Sequence, residues 1–365
     1  MGIREISGFM QNKNNKAIII WLLTGCFLIY AMVVIGGITR LTHSGLSMVE
    51  WTLFGSTPPS SEEKWNELFD HYKQYPEYQQ INFNFSIDEF KSIFWWEYMH
   101  RFLGRTIGVV FIIPFFYFWF KKMINDELMK KLLLLVILGG LQGLLGWYMV
   151  KSGLNKMPSV SHYRLAAHLI SAFTVFAFTF WTALGLIYKE KSEARSQKPE
   201  DLNQSQISEL KSQISLKRLS IFFFIIVIIQ ITYGAFVAGL KAGHICPTWP
   251  KMCDDWMPDA VTALQPTWRN FLEGQAGVQF VHRCIAVIVV LMLGVIHYKG
   301  FRSKQLNTLQ KRILMGLGLI VVLQFTLGVF TLVYNVPVTL GVLHQTGAFF
   351  LFATSLWLIH SLQTD

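Results

Sequence analysis

Long apolar stretches separated by short polar connections dominate the chain. Eight of them, near 17–39, 98–120, 132–150, 165–188, 219–240, 278–298, 313–335 and 338–362, are long enough to cross a bilayer, which takes a helix of about 20 residues. An even number of crossings puts both termini on one side. The connection 41–94 is long for a structureless loop and is expected to fold. In it Trp65, Leu68, Phe69 and Tyr72 follow i, i+3, i+4, i+7 spacing, and Ser86 with Glu89 forms a capping box ahead of Phe90, Ile93 and Phe94, which predicts two short amphipathic helices. They suit a lid over the bundle and a rest on the lipid interface equally well. Polar residues 189–217 predict a cytoplasmic linker between two sets of four spans, 1–188 and 218–365.

Composition agrees with this reading. Of 365 residues 52% are hydrophobic and 15% charged, and the mean hydropathy of +0.39 is too high for a single soluble core. The expected fold is an all-α integral membrane protein in a lipid bilayer. A net charge of +10 would suit a nucleic-acid partner if it were gathered into one patch. Instead Lys121, Lys122, Lys130 and Lys131 join spans two and three, and Lys299, Arg302, Lys304, Lys311 and Arg312 join spans six and seven. With Arg4, Lys13, Lys16 and the basic linker they mark one side, cytoplasmic by the positive-inside rule. Glu62, Glu63, Glu67, Asp70, Asp254 and Asp255 mark the other. The charge sets topology, and no nucleic-acid partner is expected. The first apolar run is of full spanning length and lacks a cleavage site, and no Arg-rich transit segment precedes it; a bacterial plasma membrane, with both termini cytoplasmic, is expected.

Self-similarity runs across the linker. Glu97-Tyr98-Met99-His100-Arg101 matches Gln279-Phe280-Val281-His282-Arg283 at an offset of 182, and Leu141, Gln142 and Gly146 match Leu323, Gln324 and Gly328 at the same offset. His168 and His344 pair at 176. Each half holds an even number of spans, so the sequence predicts two four-helix bundles as a parallel repeat.

Spans two, four, six and eight each carry a histidine near the outer end: His100, His168, His282 and His344. One intramembrane histidine is ordinarily a packing residue or proton relay. Four at one depth, two per half, suit axial ligation of two haems clamped between facing helices. Arg101, Arg105, Arg164 and Arg283 lie at the level where haem propionates need partners, although single interfacial arginines commonly snorkel to phosphate. Gly36, Gly37, Gly139, Gly140, Gly143 and Gly146 would admit close approach of a helix or a macrocycle. His43, His162 and His244 are outer-loop candidates for supporting roles; for His71, His297 and His360 surface or interface roles are favoured. Cys246 and Cys253 share an outer loop facing an oxidising compartment, where a disulfide is expected. Six intervening residues and the absence of a second pair disfavour a metal site. Cys26 and Cys284 are expected to pack within spans.

One position breaks the repeat: Glu97 stands where the second half has Gln279. Glu97 shares a helix face with His100. It could act as a base or stabilise positive charge developing on a porphyrin substituent, or simply pair with Arg101 or Arg105. A di-iron bundle needs Glu-x-x-His twice, and here it occurs once. A transporter would need a midplane polar site with broken helices.

The segments ITRLTHSGLSMVEW (38–51), WWEYMHR (95–101), YRLAAHL around His168, QFVHR (279–283) and GVLHQ (341–345) resemble those of the heme A synthase family in order, spacing and depth. The resemblance implies oxidation of the C8 methyl of heme O to a formyl group, giving heme A. It implies that His100 and His168 hold the substrate haem, that His282 and His344 hold a heme b cofactor, and that Glu97 is the catalytic carboxylate. Heme O synthase and cytochrome oxidase assembly factors are the partners it suggests, while a homo-oligomer is left open. Cys246 and Cys253 match the family's second-half pair, whereas the first loop lacks the cysteine pair many bacterial members carry, which puts thiol chemistry beside the substrate haem in doubt. The long first loop is similar to that of mitochondrial and related bacterial members. The alternative is a di-haem b-type electron carrier in which both haems are permanent.

Overall fold

The computed structural model describes residues 3–49, 55, 57–153, 160–192, 204–303 and 305–363. Glu50 and Trp51 of the 38–51 segment and residues 193–203 of the linker lie outside the described residues. The long helices are α1 (Ile3–Leu41), α4 (Ile87–Phe120), α5 (Asp126–Gly153), α6 (His162–Ser192), α7 (Gln204–Leu240), α8 (Gln275–Arg302), α9 (Thr308–Val333) and α10 (Val338–Ser361), with the short α2 (Glu62–Tyr72) and α3 (Pro76–Gln80) between α1 and α4. All eight long helices are long and apolar enough to cross a membrane. No strand occurs among the described residues. The helices outrun the apolar stretches; in α9 Asn307 accepts from the Gln310 backbone N–H and the Gln310 side chain accepts from the Asn307 N–H, a polar cap that starts the helix at Thr308, ahead of the apolar stretch that begins near 313.

By packing the chain divides into two compact units, Thr24–Phe176, and Met1–Leu23 with Ala177–Asp365. In the second of these α7 packs on α8, α8 on α9, α9 on α10 and α10 back on α7, a closed ring of four helices. Its core follows the helical period: Phe223, Val227 and Ile231 on α7, Val289, Leu293 and Ile296 on α8, Leu314, Leu317 and Val321 on α9, Phe349, Phe352 and Leu356 on α10 are all buried. Buried Gln310 donates to the Ser361 carbonyl at 2.8 Å and ties the start of α9 to the end of α10.

In the unit Thr24–Phe176 the described residues of the 41–94 connection fold as expected, with one difference. Ser61 caps α2, and the Ser86–Glu89 capping box is present. The helix it starts does not stop before the span, however; it runs unbroken from Ile87 to Phe120 because no Gly or Pro interrupts residues 87–103. The predicted second amphipathic helix is therefore the outer end of α4. Trp65, Phe69 and Tyr72 of α2 pack with Met48, Phe90, Ile93 and Phe94 into a small core. Tyr72 stacks on Phe90 at 5.0 Å, and Trp65 meets Phe94 edge-on at 4.9 Å. Each such side chain contributes about 2 kcal/mol by leaving water, enough to hold α2 on α4. Beneath this core Tyr72 donates to Glu77 Oε2 at 3.0 Å and accepts from Asn82 at 2.8 Å.

Candidate functional site

Each of the four histidines lies against a glycine of the neighbouring helix. A Cβ added at Gly36 of α1 would stand 3.0 Å from His100 Cε1; at Gly146 of α5, 2.9 Å from His168 Cε1; at Gly234 of α7, 3.4 Å from His282 Cε1; at Gly328 of α9, 2.8 Å from His344 Cε1. Glycine there lets the backbones approach with an imidazole between them. The expected Gly36 and Gly146 take this role, whereas Gly139, Gly140 and Gly143 face open space. Gly234 was not singled out from the sequence, since it lies outside the 182-residue register that pairs Gly146 with Gly328.

The rings are half-buried. Nδ1 of His100, His282 and His344 is buried without a hydrogen-bond partner among the described residues, so each ring's accessible edge lies away from Nδ1. His282 and His344 face one another with ring centres 6.5 Å apart and planes 80° apart. Two imidazoles clasping one metal, with bonds of about 2 Å and about 1 Å from nitrogen to ring centre, have centres about 6 Å apart. That separation would suit one metal ion held between the two rings, and Gln230 Nε2 stands 3.4 Å from His282 Nε2. His100 and His168 lie within electrostatic reach of each other. His168 alone has a partnered Nδ1: Gln142 Nε2 stands 3.2 Å from it and donates to the His168 carbonyl at 3.0 Å.

Glu97 is 3% exposed. Its Oε2 accepts from the Ser47 hydroxyl at 2.8 Å and from the Met48 N–H at 2.7 Å, and its Oε1 accepts from Arg101 Nη2 at 2.6 Å. The same guanidinium donates to the Met48 carbonyl at 2.7 Å. The sequence offered a base, a charge stabiliser or an Arg partner; the pairing with Arg101 is present, and it leaves the carboxylate rigidly placed one helical turn from His100. Ser47 and the Met48 amide went unnoticed in the sequence because backbone donors leave no residue signature.

The second half repeats the frame with different chemistry. Gln279, 2% exposed, donates to the Cys246 carbonyl at 3.3 Å. Arg283 donates to the carbonyls of Cys246 at 2.7 Å and Thr248 at 2.9 Å. Cys246 and Cys253 are joined in a disulfide, and Cys246 packs with Met252, Val261 and Ala276. Of the other candidate arginines, Arg164 lies over the Tyr148 ring at 4.8 Å, and Arg105 packs against Gly55, where a Cβ would come within 2.9 Å of it. His244 bonds Asn335 at 2.9 Å. His360 is not at a surface: it is 5% exposed, with its ring 4.7 Å from Trp181. Outside the spans, burial pushes the Glu77 carboxyl up to about 7; the Tyr72 hydroxyl opposes this and the Glu97 charge adds to it.

Eight apolar helices, four of them carrying a glycine-seated histidine, define a multi-pass helical membrane protein. The family described as cytochrome oxidase assembly protein, COX15-CtaA, matches residues 19–356, and the chain belongs to that family. It is 48% identical over 355 residues to the heme A synthase of Flavobacterium psychrophilum, covering 95% of this chain and 98% of the relative. It is 43% identical to the heme A synthase of Nitrosospira multiformis, covering 95% and 94%. It is also 41% identical to heme A synthase COX15 of Arabidopsis thaliana, covering 94% of this chain and 74% of the plant protein.

Proposed function

We propose that this chain is a heme A synthase, a membrane oxidoreductase that converts the C8 methyl of heme O to a formyl group. The observation that carries the reading is the Glu97 carboxylate, fixed by Ser47, Met48 and Arg101 one turn from His100, where the second half has only Gln279. Family membership and relatives of matching length support it. The di-haem carrier finds no support among them.

In this reading His100 and His168 hold heme O as substrate, and His282 and His344 hold heme b. Heme b when bound supplies one-electron transfer away from the substrate site. Written with water as the oxygen source, turning the methyl into a formyl group releases four electrons and four protons, the electrons passing to an acceptor outside this chain, and positive charge develops at the substituent as they leave. Glu97 is pre-oriented to stabilise that charge and costs no reorganisation when it appears. With both its oxygens already accepting hydrogen bonds, electrostatic stabilisation suits it better than proton abstraction. Gln279 has similar shape without the charge, which keeps the second haem a cofactor. Arg101, Arg105, Arg164 and Arg283 are the candidate propionate partners in this reading, and Arg101 and Arg283 also donate to loop carbonyls.

The two halves, 1–188 and 218–365, follow one parallel-repeat plan, supported by the four histidine–glycine seats. The basic connections support an orientation in a bacterial plasma membrane with both termini cytoplasmic and the haem sites toward the outer side. A heme O synthase would supply the substrate, and oxidase assembly factors would accept the product. The test is chromatography of haems extracted after expression with a heme O supply. Heme A should form, and Glu97→Gln should abolish it while both haems stay bound; full activity of that variant would remove Glu97 from the role.

A further inference from the structure

The four histidines are not held alike. In the second half, Nδ1 of His344 and Oε1 of Gln324 are both buried without hydrogen-bond partners among the described residues. At the matching positions of the first half, Gln142 is locked. Its Nε2 donates to the His168 carbonyl at 3.0 Å and stands 3.2 Å from His168 Nδ1. Its Oε1 accepts from the Ser171 hydroxyl, which also reaches the His168 carbonyl at 3.0 Å. Position 347, which answers to Ser171 in the 176-residue register, is a glycine, and Gln324 Oε1 crowds against it.

The lock fixes which way the Gln142 amide faces. Turned over, it would set its oxygen against the His168 carbonyl oxygen at 3.0 Å, two acceptors with no proton between them. As it stands, one amide hydrogen goes to the carbonyl and the other points at Nδ1. His168 Nδ1 is then an acceptor, and a neutral ring must carry its proton on Nε2. Iron needs that nitrogen bare. For His168 to ligate through Nε2 the proton must sit on Nδ1 instead, and the Gln142 contact is lost. Metal-ligating histidines ordinarily donate from the second ring nitrogen; here the neighbour is a donor and works against ligation.

We propose that Gln142 and Ser171 are positioning residues that make His168 a displaceable ligand, so that the first site opens on the His168 side while His100 stays attached. This rests on the reading that His100 and His168 hold the substrate haem. It gives a reason for asymmetry between the halves: a substrate haem has to enter and leave, and a cofactor does not. The net worth of one hydrogen bond between neutral groups sets the scale, a factor of roughly two to ten in the ratio of open to ligated His168.

The test uses the full chain purified with heme O bound and reads iron spin state by electron paramagnetic resonance, with haem retention and the split of kcat and KM. In the unaltered protein the heme O iron should show a substantial high-spin, five-coordinate fraction beside a low-spin second haem. Gln142→Leu should move the first site toward low spin by roughly two- to tenfold, raise heme O and heme A retention on washing, and lower kcat and KM together. Ser171→Gly, which copies the second half and alters little volume, should act in the same direction. Gln324→Leu should leave the heme O signal where it is. A wholly low-spin heme O site in the unaltered protein would overturn the inference, as would unchanged spin state and retention in both first-half variants. A chain that binds heme O but never yields heme A would defeat the proposed activity, while its spin states still decide the role of Gln142.

Discussion

Arg101 meets Glu97 at 2.6 Å across one turn of α4, with their side chains 10% and 4% exposed. Burial that deep makes the pair unlike a surface ion pair: removing one partner leaves a charge without compensation. Arg101→Leu should therefore cost about 3 kcal/mol, read as a lower thermal midpoint of the detergent-purified protein, and should abolish heme A formation. Glu97→Leu combined with Arg101→Leu should recover most of the stability and none of the activity.

Ser47 tests the positioning of the carboxylate without touching its charge. Ser47→Ala deletes one hydrogen bond to a charged group, worth about 2 kcal/mol. If that bond orients Glu97 for the transition state, kcat falls by roughly 10- to 30-fold with haem content unchanged. A fall in bound haem instead would show that Ser47 serves the fold.

The glycine seats separate the two haems. A methyl at Gly328 would stand 2.8 Å from His344 Cε1, and the ring has to move. Gly328→Ala should release the second-half haem and leave heme O binding intact, giving about one haem per chain in a pyridine haemochrome assay. Gly146→Ala should do the reverse.

The 41–94 fold should respond to pH through Glu77. Its carboxyl sits at about 7 in the folded chain against an ordinary 4.5, raised first by burial, so the folded state holds the proton more tightly than the unfolded one. The resulting stability is fully present below about 4.5 and is lost as pH rises through about 7, an amount on the order of 3 kcal/mol. Amide exchange of residues 62–94 should be faster at pH 8 than at pH 5 beyond the intrinsic rate change. Glu77→Gln should remove most of the difference.

Much of this architecture could be read from the chain. The spans announce themselves by length and hydropathy, since a bilayer leaves a helix few other options. The α2 periodicity and the Ser86–Glu89 cap are local patterns and appear where expected. His100, His168, His282, His344 and Glu97 stood out because charged and imidazole groups are costly in a membrane. What stayed hidden depends on neighbours distant in sequence. Nothing marks Ser47 or the Met48 amide as partners of Glu97, and Gly234 gains meaning only once α7 packs beside α8. The uninterrupted α4 was missed because the apolar window begins later than the helix. The Gln142–Ser171 lock needs three side-chain orientations, which no spacing rule supplies.

The most direct measurement of the central claim is haem chromatography, with mass detection, on membranes containing this chain and a heme O supply. Membranes with the unaltered protein should yield heme A, and those with Glu97→Gln only heme O and heme b. Heme O left unconverted by the unaltered, haem-loaded protein would contradict it.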